Sequence, residues 1–170
     1  MPSLIRPCLA LALAVATAAA HGATFVVDTT SPATLNACTA APGDCSLPGA
    51  ITAAGLAAGA DTVAFDIPMS DPGCTAATGV CRIVLGTTLP SISQPLVIDG
   101  YTQPGAQPNT IPAPGANNAQ LKVEVTASTT LFDPLNPNNT TLRLRGLALF
   151  ILSNRMIGGF GSPSIVVQGN

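Results

Sequence analysis

Short runs in which apolar and polar residues alternate, separated by Gly, Pro and Asn clusters, recur along this chain. Period-two alternation between turn residues predicts strands at Thr24–Asp28, Thr62–Ile67, Cys81–Leu85, Leu96–Asp99, Leu121–Thr126, Leu142–Leu149 and Ser164–Gln168. One stretch reads as a helix: Ser46 to Ala58 places Leu47, Ile51, Ala54 and Ala58 on one face, and Gly59 stops it. The strands also echo one another. Val63 and Phe65 are matched by Ile83 and Leu85, Ile98 by Val123, Leu121 and Val123 by Leu142 and Leu144, and those by Ile165 and Val167. A recurring step of about 20–25 residues predicts a solenoid with one coil per step. The expected fold is therefore all-β, a right-handed parallel β-helix with a short N-terminal capping helix. A sandwich fits the strand count but lacks obvious hairpin turns. The same register stacks Lys122 beside Arg143 and Glu124 beside Arg145, a polar surface patch outside an apolar interior. A Glu124–Arg145 pair there would contribute about 0–1 kcal/mol.

The first residues depart from this pattern. Arg6 supplies a positive start, Leu9 to Ala16 an apolar core, and Ala18-Ala19-Ala20 a small-residue cleavage site. Residues 1–20 read as a signal peptide and 21–170 as one domain, with cleavage after Gly22 as the other option. The apolar run is shorter than the roughly 20 residues needed to span a bilayer, and no later run is longer. The mature chain is thus expected to be exported: extracellular, at a cell surface in association with an outer membrane, or in the periplasm.

Composition narrows the class. Only 8% of residues are charged while 47% are hydrophobic, the reverse of a disordered chain. A net charge of −2 and a pI near 4.9 leave no basic footprint for nucleic acid. Four of the five cysteines lie beyond the leader, Cys38, Cys45, Cys74 and Cys81, whereas Cys8 leaves with it. An even count in an exported chain predicts two disulfides, with three connectivities open. Local pairing would close two short loops, each contributing about 2.5 kcal/mol on the entropy model. The spacers do not fit a zinc site or a redox pair.

His21 is the lone histidine and sits at the cleavage point, which removes triads that need a histidine base. Carboxylate chemistry is open to Asp61, Asp66, Asp71, Asp99, Glu124 and Asp133, although most stand where Asp makes turn hydrogen bonds. The Pro-, Gly- and Asn-rich segment from Gly100 to Ala119, with the lone Tyr101, reads as a corner excursion before a binding loop. Asn138 and Asn139 open glycosylation sequons but read as turn residues. No cofactor and no metal site is expected.

Three segments carry a resemblance: Thr24-Phe25-Val26-Val27-Asp28-Thr29, Cys45-Ser46-Leu47-Pro48-Gly49-Ala50-Ile51, and Gly59-Ala60-Asp61-Thr62-Val63-Ala64-Phe65-Asp66. Together with Ile98-Asp99-Gly100-Tyr101-Thr102 and Arg145-Gly146-Leu147, they resemble bacterial exported β-helix proteins with an N-terminal Cys-Ser-Leu-Arg-Glu-Ala domain. The resemblance implies that the helix covers the first coil and that the chain is an N-terminal fragment of a longer protein. Pro48-Gly49 stands where that family has Arg-Glu. With Ser46 as N-cap, Gly49 cannot complete the capping box and costs about 1 kcal/mol relative to Ala. Proline is tolerated in the first turn.

The function expected is an exported, surface-associated domain without evident catalysis, part of a display or adhesion-type protein. Its partner would be an extracellular carbohydrate or a cell-surface component. The alternative is a polysaccharide lyase or hydrolase using Lys122, Arg143 or Arg145.

Overall fold

The computed structural model describes residues 21–112, 114–132, 141–152 and 164–168, the last as backbone. The expected signal peptide with Cys8, Asp133, Asn138 and Asn139 lie outside the described residues.

Among the described residues, nine strands and one α-helix follow in the order β1 (Thr24–Val27), α1 (Leu47–Leu56), β2 (Asp61–Phe65), β3 (Cys74–Thr75), β4 (Val80–Leu85), β5 (Leu96–Asp99), β6 (Val123–Ala127), β7 (Thr141–Arg145), β8 (Leu147–Ile151) and β9 (Ser164–Gln168). They build two sheets. One runs β1-β2-β5-β7-β9 with all neighbours parallel, and the other runs β3-β4-β6-β8. In the second sheet β4, β6 and β8 are parallel, but β3 and β4 form an antiparallel pair.

This arrangement corrects the expected all-β parallel β-helix. The described residues form an α/β-type fold of two sheets and a helix, and no solenoid is seen among them. The reason lies in which sheet each apolar run joins. Val63 pairs with Ile98, not Ile83, and Ile83 pairs with Val125. The repeating step read from the sequence therefore connects strands of different sheets, except at Leu142 and Leu144, which do pair with Ile165 and Val167. The long predicted strand Leu142–Leu149 is likewise two strands. Gly146, at φ +67°, turns the chain between them, and β7 and β8 enter different sheets.

Alternation then sets the inside. Val27, Val63, Ile98, Leu142 and Leu144 of the first sheet are buried, as are Ile83, Val125 and Leu147 of the second. Phe65, Phe132, Leu47 and Ile51 complete the same apolar cluster. Helix α1 packs on β1 and β2 through Leu47, Ala50, Ile51 and Ala54. Ser46 is its N-cap: its hydroxyl oxygen accepts from Gly49 N at 3.1 Å and from Leu35 N at 3.1 Å, and its hydroxyl donates to the Ala33 carbonyl. One fully buried serine thus starts the helix and fastens the preceding loop.

Gly49 has a reason that the sequence did not disclose. A Cβ placed on it would lie 1.7 Å from the Leu35 carbonyl oxygen. The residue that looked like a weakened capping box is the only type that admits this contact, and a Glu at this position is incompatible with the observed loop path.

Candidate functional site

Both disulfides form with local pairing, Cys38–Cys45 and Cys74–Cys81, consistent with a secreted protein. Cys45 and Cys81 are fully buried, and Cys74 faces Cys81 across the antiparallel β3–β4 pair. The first bridge closes the loop before α1, where Asp28 also accepts from Gly43 N at 2.6 Å and Cys45 N at 3.0 Å. Among the described residues no helix is long and apolar enough to cross a membrane.

The residues expected to form one polar patch do not meet. Lys122 donates from Nζ to the Thr78 carbonyl at 2.8 Å. Glu124 pairs with Arg82, its register partner on β4, at 2.8 Å. Arg145 pairs instead with Asp99 at 2.6 Å, across β5 and β7. Arg143 is exposed beside Val97 and has no ion-pair partner among the described residues. The expected Glu124–Arg145 pair is thereby corrected: β6 and β7 belong to different sheets, so the two side chains are never neighbours in register.

The carboxylates are engaged in holding loops. Asp71 accepts from Thr29 Oγ1 at 2.9 Å, Thr30 N at 3.1 Å, Gly73 N at 2.9 Å and the Thr30 hydroxyl. Burial pushes its pKa up, but the hydrogen bonds from Thr30, Gly73 and Thr29 outweigh this and hold it below the ordinary carboxylate value. Asp99 caps the 3-10 turn Gly100–Thr102 by accepting from Tyr101 N at 3.1 Å, while its other oxygen takes Arg145. Tyr101 is pushed above its ordinary pKa by burial and by the Asp99 charge, against a smaller opposing pull from Arg145. Asp61 is buried and accepts from Ala23 N. Asp66 alone among the expected acidic candidates that the structure describes is exposed without a side-chain hydrogen bond.

Sequence reasoning missed two residues of the Gly100 to Ala119 segment. Thr102 Oγ1 accepts from Phe65 N at 2.6 Å, and the Gln103 amide both accepts from Ile67 N and donates to Ile67 O at 2.9 Å. The β2–β5 pairing stops at Val63 and Ile98, so these side chains take over the backbone groups beyond it. Gln103 is 1% exposed, and no periodicity marks it, because its partner lies across the fold. Further on, Asn109 and Asn118 tie the excursion into a ladder closed by the Gln107–Gln120 bridge.

Beside this excursion lies an open groove of about 550 Å³, lined by Asp66, Met69, Gln103, Gln107, Gln120 and Lys122. Its lining mixes Asp66, Lys122, Gln107 and Gln120 with the apolar Ile67, Pro68, Met69 and Pro104, and the Gln103 amide is already taken up by the Ile67 backbone. Gathered metal-ligating side chains do not occur among the described residues. No family model matches the chain, and neither a curated protein nor a solved structure matches it.

Proposed function

We propose that this chain is an exported, disulfide-clamped domain of a surface-associated, display or adhesion-type protein, with a structural and binding role in place of a catalytic one. The observation that carries the reading is the engagement of most of its carboxylates: Asp66 is the free one among the described residues, and it lines the groove with no second carboxylate beside it to make an acid–base pair. Asp28, Asp61, Asp71, Asp99 and Glu124 each accept hydrogen bonds that close a loop, cap a turn or join two strands. General acid–base chemistry needs a carboxyl within reach of a substrate proton and free to exchange it. The resemblance of the Cys45–Ile51 and Gly59–Asp66 segments to exported bacterial surface proteins supports the same reading. A carbohydrate or other polar cell-surface component would fit the mixed polar and apolar lining of the groove.

The test is an assay of uronate-containing polysaccharides with and without calcium, using the secreted protein and a variant with Arg143→Ala and Arg145→Ala. The expected result is no cleavage by either protein. Calcium-dependent cleavage that the double variant loses would replace this proposal with a lyase.

A further inference from the structure

The carboxylate of Asp61 is 1% exposed, at the start of β2. One oxygen, Oδ1, accepts from the backbone nitrogen of Ala23 at 2.7 Å. The other, Oδ2, is fully buried and has no hydrogen-bond partner among the described residues. Neither ion pair among the described residues involves Asp61. A buried carboxylate with one neutral donor is an expensive arrangement, because the charge has lost water and gained little in return. Yet the local backbone is regular: Thr62 N donates to Ala23 O at 2.8 Å and Asp61 N to Pro95 O at 3.1 Å.

The nitrogen that Asp61 holds is three residues beyond Ala20 and directly after Gly22. Sequence leaves two cleavage sites open, after Ala20 and after Gly22, and both offer small residues at the required positions. Only the second turns the Ala23 nitrogen into an α-ammonium. Sheet pairing also starts with Ala23, whereas His21 and Gly22 are exposed, although their backbone runs close beside Gly59 and Ala60.

We infer that the export leader is removed between Gly22 and Ala23, and that buried Asp61 is the receptor for the α-ammonium so created. A leader endopeptidase adds water across the bond. The C–N bond breaks, the hydroxyl goes to the Gly22 carbonyl carbon, and the Ala23 nitrogen takes one proton from that water and a second from solvent. The ammonium carries three donors where the peptide had one. The ammonium stays on Oδ1, so the buried carboxylate gains a counter-charge in direct contact with it. An α-amino group with a pKa of about 7.7–8.0 is mainly protonated at neutral pH. Folding of the mature domain then responds to correct processing, because a chain cut elsewhere leaves Asp61 without its cation.

This inference rests on the export reading, and one experiment separates their failures. The full-length precursor is expressed in a secreting bacterial host, and the intact mass and N-terminal sequence of the exported protein are determined. The expected protein begins at Ala23. An exported protein that begins at His21 or elsewhere overturns the inference and leaves export standing. A chain retained inside at full length overturns both. A second measurement compares Asp61→Asn in the Ala23-start chain and in the same chain acetylated at that amine. The substitution is expected to lower Tm more in the free-amine form, since only there is a charge pair lost. Equal losses would overturn the role of Asp61.

Discussion

Asp71 shows how a single side chain of this protein works. Four donors from Thr29, Thr30 and Gly73 converge on it and tie the segment after β1 to the turn before β3. Replacing it by Ala strands those donors, with an expected loss of about 1–3 kcal/mol in urea unfolding at neutral pH. Its folded pKa lies below the unfolded value of 3.8. The associated stability is therefore present above the unfolded value and is lost as pH falls through the folded one. Acid unfolding of Asp71→Asn is expected to lack that component, and an identical acid profile would contradict it. Tyr101 is the single tyrosine in a chain without tryptophan, so its ionisation is directly visible. Phenolate absorbance in the folded protein is expected to rise with a midpoint above 10.0. The neutral form is favoured, so this contribution is present below 10.0 and disappears as pH rises through the folded value. A midpoint at or below 10.0 would contradict the burial and the Asp99 charge as its cause.

At the scale of elements, the helix start is where sequence and structure diverge most usefully. Propensity alone says that Gly49→Ala stabilises α1 by about 1 kcal/mol. The Leu35 carbonyl says the reverse, since a Cβ at 1.7 Å requires the loop to move. Gly49→Ala is expected to destabilise by about 1–3 kcal/mol, the range for forcing atoms into a packed site. A stabilised variant would contradict the close approach. The disulfides act at the same scale, and loss of the Cys38–Cys45 bridge through paired serine substitutions is expected to cost about 2.5 kcal/mol. Strand positions were legible because alternation and turn residues are local signals: β5 has the predicted bounds, and β1, β2, β4 and β6 differ by a residue or two. The two-residue β3 was not legible, as Cys74 and Thr75 give no alternation to read.

At the scale of the molecule, periodicity recorded that apolar strands recur but not which sheet each one enters. That choice depends on turns such as Gly146 and on partners distant in sequence, so the expected single solenoid gave way to two sheets and a helix. The same limit explains the polar residues. Lys122, Glu124 and Arg145 alternate with the buried Val123, Val125 and Leu144, and their partners are Thr78, Arg82 and Asp99, while Arg143 has no ion-pair partner among the described residues. The proposed export processing would unite the leader, the two local bridges and the buried Asp61. Thiol titration of the exported protein, unfolded but not reduced, tests this most directly. No free thiol is expected when Cys8 departs with the proposed leader, because the other four cysteines are bridged. One free thiol would mean a retained leader, and two or more would mean that a bridge is absent; either result contradicts the account.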